Sequence, residues 1–523
     1  CTRQIDGDLK RMLAFIGRRI AISFLILFGS SFIVYNMEAI AGDPLASLAE
    51  SSARNKEYLI ARLTAQLQLD VPPPARYFIW LKGVLGVFVG DLDFGKTRQG
   101  GAVLELIGAA VPVTLRLVTA ATVLAIILGI SIGVLSAIRQ YSRLDYSMTF
   151  VSFLFFSLPV FWVAVLLKQY FAIGFNDFLG DGQVTTPFMI AIPLALGLIV
   201  AGFIGGERKR FWLSYAIAAL GLFGLLNLLN LLNWFQNPGL GIVLVFLFSA
   251  GAGIVVAGLN MGFDHKTARY AALSVAALGA VLYVPFNMIP GHWLNIGLLA
   301  LMGVVAVVVG VFTAGFWAKE DRGALRRIGG ITAFITGLFL ILDKLMQVWN
   351  PYINSDAISG RPVPTISAAN DLMDSHNYWW QLLDVLLHLL LPTLGIMLIS
   401  FAGYVRYARS SLLEVMNMDY IRTARAKGLT ERTVVVRHAL RNAMIPLTTL
   451  IAFDLSGLIG GAFITEAIYG WKGMGTVFLE AVSTQDLNLL MGVFFLTSFL
   501  AVMGNLLADI AYSALDPRIR MGK

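Results

Sequence analysis

Residues 404–441 read YVRYARSSLLEVMNMDYIRTARAKGLTERTVVVRHALR, a polar island between two long apolar runs. Eight of these residues are basic (Arg406, Arg409, Arg422, Arg425, Lys427, Arg432, Arg437, Arg441) and three are acidic (Glu414, Asp419, Glu431). They stand in a chain that is 58% hydrophobic and only 13% charged, with a mean hydropathy of +0.76. Short loops this basic stay on the cytoplasmic side of a membrane. The island also has internal order. Ser411 and Glu414 have capping-box spacing, which predicts that a helix restarts there. Asp419 can cap a second short helix, and Gly428 can end it in the left-handed conformation that other residues avoid. Thr430 can cap a third segment that carries Val434, Val435, His438 and Ala439 on one face and runs to Pro446. The expectation is a set of short helices on the cytoplasmic surface, presenting basic and small residues to another molecule.

The string YIRTARAKGL at 420–429, followed by HALRNAMIP at 438–446, resembles the cytoplasmic EAA loop of ABC importer permeases, in the version carried by the dipeptide and oligopeptide subfamily. That resemblance implies an all-α polytopic membrane protein built on a type I ABC importer transmembrane domain. It also implies that the loop forms a coupling helix docking into a groove on a separate ATPase subunit. By position, Arg422, Thr423 and Ala424 stand where the family name has Glu-Ala-Ala. Arg425, Lys427 and the family glycine Gly428 complete the segment. The departure from Glu-Ala-Ala is typical of the peptide subfamily. The charge run alone would favour an ordinary basic surface loop; the whole string, with its spacing, reverses that preference.

At 523 residues the chain is long enough for about a dozen spans of ~20 residues plus loops. Its 39 basic and 31 acidic residues, and the pI near 9.5, read as orientation charge rather than as a nucleic-acid surface, because the excess sits in short turns between apolar runs. The single cysteine, Cys1, excludes an internal disulfide or a cysteine-based metal site. The five histidines (His265, His292, His376, His388, His438) are dispersed, so no catalytic or metal-binding cluster emerges. Lys10, Arg11, Arg18 and Arg19 precede the apolar run 20–34, a pattern that also fits a cleavable signal peptide; the resemblance implies that this first helix is kept as a span.

The expected layout is a cytoplasmic end and first span (1–38), an extracytoplasmic segment (39–106), core permease spans (107–180), an inserted bundle (188–348), a second extracytoplasmic segment (349–381), and core spans with the coupling loop (382–523). Within the first outer segment, GDLDFGKT at 90–97 matches the P-loop pattern. A phosphate-binding loop needs a preceding strand and an immediate helix, however, and Asp91 and Asp93 would repel phosphate. Gly129 and Gly133 make a GxxxG step that allows close helix approach. SLPVFW at 157–162 again resembles the family, and there Pro159, Phe161 and Trp162 belong to a helix that lines the translocation path. Pro159 by itself predicts a kink.

The inserted stretch holds six apolar runs, centred near 196, 222, 250, 279, 305 and 337. The turns ERKR (207–210), DHKTAR (264–269) and KEDRGALRR (319–327) carry nine basic residues, whereas QNPG (236–239) and IPGHW (289–293) carry none. That alternation predicts about twelve spans, about six of them extra, with both termini cytoplasmic. Asn227, Asn230 and Asn233 share a helical face and are expected to link helices by hydrogen bonds. Asp343 and Lys344 are expected to snorkel at an outer end. LDPRIR at 515–520 is again close to the peptide-permease pattern.

The resemblance implies a permease subunit of an ATP-driven peptide importer in a prokaryotic inner membrane. Its partners would be a second related permease, two ATPase subunits, an extracytoplasmic peptide-binding protein and membrane lipid, with no nucleic acid. ATP and magnesium would bind to the ATPases, and no cofactor, catalytic residue or metal site is expected in this chain. Related permeases move nickel, glutathione or sugars, so those substrates stay open. An ion-coupled secondary transporter should show ionisable residues within its spans, and here the charge clusters lie in turns. An intramembrane enzyme should show a nucleophile and base pair, and none is apparent.

Overall fold

The computed structural model describes residues 2–49, 55–317, 321–373, 376–457 and 462–515. Cys1, Lys319, Glu320, Asp374 and residues 516–520 of the terminal LDPRIR string lie outside them. In chain order the principal helices are α1 (Thr2–Ala41), α2 (Pro73–Leu85), α3 (Val103–Ile138), α4 (Arg143–Ser157), α5 (Val160–Leu166), α6 (Thr186–Ile204), α7 (Arg208–Leu231), α8 (Gly241–Met261), α9 (Lys266–Asn287), α10 (Ile296–Gly315), α11 (Arg322–Gln347), α12 (Tyr378–Met416), α13 (Asp419–Ala426), α14 (Leu440–Gly457), α15 (Phe463–Tyr469), α16 (Met474–Thr484) and α17 (Leu487–Leu515).

Ten of the described helices are long and apolar enough to cross a membrane, and the bent pair Arg143–Ser157 and Val160–Asp181 brings the number to as many as eleven. Two features separate this from the expected twelve. Within the core permease spans expected at 107–180, the second apolar run is broken, with a bend of 103° at Leu158–Pro159. In the core segment expected at 382–523, α14 is helical through Gly457, and residues 458–461 lie outside the described residues. Pro159 does more than kink a helix: its extended backbone ends α4 and starts α5.

The chain divides into two compact units. One comprises residues 1–168, 366–368 and 389–523; the other comprises 169–365 and 369–388. The second therefore begins earlier than the expected insertion and takes in most of the polar segment 349–381.

In the first unit, α3 buries Ile107, Ala110, Thr114, Leu117, Ala121, Ala125, Gly129, Gly133 and Ser136, a stripe at the three- and four-residue spacing of one helical face. The two glycines are there for close approach. A Cβ on Gly129 would stand 2.5 Å from Tyr404 Cβ, and one on Gly133 would stand 2.7 Å from Ala408 Cβ and the Val405 carbonyl oxygen. The GxxxG step is thus the seat of α12. An aromatic core of Tyr35, Tyr77, Trp80 and Phe94 packs with Val103, Ile107, Leu489 and Met491, joining α1, α2, α3 and α17. Phe94 places the P-loop-like string in this core. A 3-10 turn, Gly86–Val89, precedes the string where a phosphate loop needs a strand, and α3 begins only at Val103.

In the second unit, small residues again set the packing. Ala257, Ala268, Ala271, Ala272, Ala314 and Ala333 meet Val275, Leu325 and Ile328 where α8, α9, α10 and α11 converge, and Gly197 of α6 seats on Ala219 of α7. Asp343 does not snorkel. It is fully buried and accepts hydrogen bonds from the Leu240 and Gly241 amides (2.7 and 2.9 Å), Tyr283 Oη (2.7 Å) and Gln347 Nε2 (2.7 Å), so it closes the start of α8. Lys344 Nζ donates to the Asn287 carbonyl at 3.1 Å. The three asparagines do not act alike. Asn230 bonds the backbone of Val184 on both sides at 3.0 Å, Asn227 donates to its own helix at Phe223, and Asn233 takes a left-handed turn conformation (φ 48°).

Candidate coupling surface

The organising island resolves into a long helix followed by a surface platform. Ser411 does not restart a helix: α12 runs unbroken to Met416, and Ser411 Oγ donates to the Ala443 carbonyl at 2.9 Å, tying α12 to α14. Residues 404–416 therefore continue α12. The surface helix is α13. Asp419 is its first residue rather than its cap, and its carboxylate receives Arg422 Nη1 at 3.3 Å beside the positive end of the helix.

Two faces of α13 differ sharply. Ile421 and Ala424 are buried against Leu412 of α12, Ala137 of α3, and Val434, Ala439 and Ala443. Arg422, Thr423, Arg425 and Lys427 are exposed. Of the six residues singled out from the sequence, Ala424 thus anchors the helix, and Arg422, Thr423, Arg425, Lys427 and Gly428 form the outward surface. Gly428 has φ +74°, as its place after the helix requires, and a Cβ there would meet no atom within 4 Å. Its constraint is one of backbone conformation, since nothing crowds it. Arg425 grips Glu431 across this turn, Nη2 to Oε1 at 2.7 Å and Nε to Oε2 at 3.2 Å, and the guanidinium holds the Glu431 carboxyl below its ordinary range. Thr430 caps the following turn by accepting from the Thr433 amide at 3.4 Å. Val434, Val435 and Ala439 then face inward from a π-helical turn, Val434–Ala439.

Three features of the first unit had no sequence signal. Asp145, 2% exposed at the start of α4, accepts Arg409 Nε and Nη2 of α12 (2.7 and 2.9 Å), Ser136 Oγ of α3 (2.5 Å) and the Tyr141 amide (3.0 Å). One carboxylate thus joins three helices beside the platform. Fully buried Glu466 accepts Thr114 Oγ1 (2.5 Å) and the Gly475 and Thr476 amides (2.8 and 3.3 Å), tying α15 to α16 and α3. Burial pushes its carboxyl above the usual range, against the lowering effect of those donors. Arg406 lies 3.7 Å from the Phe156 ring centroid and 5.7 Å from that of Phe153, beside the break between α4 and α5. Past the break, Phe161 and Trp162 are 53% and 47% exposed.

A chain of ten or more apolar helices, a broken span, and a basic surface helix rooted on the ends of α3, α12 and α14 together describe a multi-pass transport permease. The chain belongs to the family of binding-protein-dependent transport system inner membrane components, whose family model matches residues 129–521. It is accordingly a transport component of the inner membrane and not an enzyme. Among similar proteins, the oligopeptide transport system permease protein OppB of Mycobacterium tuberculosis is 35% identical over 235 residues, 43% of this chain and 70% of the relative. The dipeptide transport system permease protein DppB of Escherichia coli is 43% identical over 244 residues, covering 44% and 71%. The oligopeptide transport system permease protein AppB of Bacillus subtilis is 25% identical over 513 residues, covering 97% and 99%.

Proposed function

We propose that this chain is the transmembrane permease subunit of an ATP-driven importer of peptides, forming half of the translocation pathway and coupling it to cytoplasmic ATPases. The observation that carries the reading is α13: a short helix with Ile421 and Ala424 locked into the ends of α3, α12 and α14 and with Arg422, Thr423, Arg425 and Lys427 facing outward. A partner that moves α13 moves the inner ends of three helices at once. The Asp145–Arg409 tie, which joins α4 to the same bundle, transmits that displacement to the broken span at Pro159. Peptides are favoured over nickel, glutathione or sugars by the names of the relatives given above.

In this reading the chain makes twelve spans with both termini cytoplasmic, as the alternation of basic and uncharged turns supports. It assembles with a second related permease, two ABC ATPases and an extracytoplasmic peptide-binding protein. ATP and magnesium bind to the ATPases, and this chain holds no cofactor. The test is to purify the assembled complex into lipid nanodiscs and measure ATP hydrolysis with the binding protein, with and without peptide. Peptide-dependent stimulation supports the reading; a complex with no ATPase subunits, or hydrolysis stimulated only by a non-peptide solute, refutes it.

A further inference from the structure

Among the basic residues of α12, Arg406 stands apart. Arg409, one turn on, is neutralised by Asp145, whereas Arg406 has no carboxylate within ion-pair distance and no hydrogen-bond partner among the described residues; its buried Nε is an unsatisfied donor. A helical side chain leans toward the N-terminus of its helix, so Arg406 is directed back along α12, away from the α13 end. Its guanidinium rests on Phe156, with Phe153 behind it. Stacking on an aromatic face holds a guanidinium flat and leaves its outer N–H groups free to take a carboxylate in two parallel bonds. Phe156 is the residue before Ser157 at the end of α4, so the cation sits at the broken span, the kind of interrupted helix at which transport proteins hold charged substrate groups. Phe153, Phe156, Phe161 and Trp162 are each roughly half exposed around that break.

We infer that Arg406, stacked on Phe156 and Phe153, is a binding site for the C-terminal carboxylate of the transported peptide. This rests on the peptide-permease reading. A lipid phosphate shares the anionic chemistry, but lipid headgroups sit at the membrane surface, toward which α13 lies and from which the Arg406 side chain is directed away. The site supplies one bidentate charge-assisted contact in an aromatic setting that accepts many neighbouring side chains, which suits a carrier of varied sequences with a common terminus.

The test is to titrate the assembled complex in nanodiscs, without the binding protein, with a fluorescent tripeptide as the free acid and as the C-terminal amide. Wild type should bind the acid about tenfold more tightly, the worth of one charge-assisted contact. Arg406→Gln should bind both forms equally, at the wild-type affinity for the amide. Arg406→Lys should keep part of the preference, and Phe156→Leu, which keeps the charge and removes the stack, should reduce it. A preference that persists in Arg406→Gln, or its absence from wild type, overturns the inference and leaves the peptide reading standing. So does an effect of Arg406→Gln that appears only when the nanodisc contains anionic lipid, which would assign the guanidinium to a headgroup. Loss of the second permease from the Arg406→Gln complex would assign it to a subunit contact and likewise overturn it. Binding of neither peptide form by wild type would likewise overturn the inference, while peptide-stimulated ATP hydrolysis with the binding protein present tests the peptide reading separately.

Discussion

Replacing Gly428 separates backbone strain from crowding, because the structure removes one of the two. With φ +74° and no atom within 4 Å of a would-be Cβ, the site has room for a side chain but not the conformation for one. A β-carbon in the left-handed region costs about 1–2 kcal/mol, and a β-branched one stands at the upper end. That shifts the closing turn of α13 by a factor of about 5–30, enough to loosen the register in which Arg425 meets Glu431. The spans pack elsewhere, so Gly428→Val should express, insert and retain its ATPases, yet lose most peptide-stimulated ATP hydrolysis in the reconstituted complex. Gly428→Asn adopts the left-handed conformation more readily and should retain most of the stimulation. If Asn were as damaging as Val, side-chain crowding against a partner would be at work and the backbone argument would fail. If Val kept full coupling at normal ATPase stoichiometry, α13 would not be the coupling element.

Three further outcomes follow from the buried ties. Asp145→Asn removes the charge that Arg409 grips and should cost about 3 kcal/mol, the low end for a broken buried pair because the Arg409 side chain is 29% exposed; thermal unfolding of the purified complex reads it, and an unchanged midpoint would contradict the three-helix joint. Gly133→Leu forces α3 away from Ala408 and Val405 and should reduce the yield of assembled permease far more than Gly108→Leu, where a Cβ meets nothing within 4 Å; equal yields would show that the α3–α12 contact is not tight. Glu466 has its carboxyl raised in the folded state, so its contribution to stability is fully present below the unfolded-state pKa and is lost as pH rises through the raised value. Glu466→Gln should abolish that part of the pH dependence. At low pH, where Glu466 is itself protonated, the variant should stay close to wild type, since the amide oxygen can keep the Gly475 and Thr476 amides while its N–H donates to the Thr114 hydroxyl, which accepts as well as donates; a variant with the wild-type slope would assign the titration to another group.

What the sequence disclosed was local. The short helix ending at Gly428, the Thr430 cap, the inward Val434, Val435 and Ala439, and the GxxxG seat all depend on neighbours within a turn or two, and residue type and spacing reveal those. The Ser411–Glu414 box failed because α12 already occupies those residues: tertiary packing carries the helix through, and Ser411 turns to Ala443 instead. Asp343 is ambiguous in sequence because a charge near the end of an apolar run looks the same whether it reaches headgroups or closes a neighbouring helix. The Asp145–Arg409 pair spans 264 positions, and Arg406 beside Phe156 joins helices far apart in the chain; neither residue carries a local mark. Pro159 did announce a disturbance, but the size of the bend depends on what packs on either side.

If α13 receives the ATPase, its outward face lies within reach of that subunit. Thr423 is exposed on its outward face, so a cysteine there, with Cys1 replaced, offers one defined probe in the assembled complex. Thr423→Cys carrying a short photoreactive group should cross-link to an ATPase subunit, with a yield that changes between nucleotide-free and ATP-bound complexes, and an impermeant reagent added outside intact cells should leave the cysteine unlabelled. Labelling from outside, or cross-links to lipid and the second permease with none to the ATPase, would contradict it.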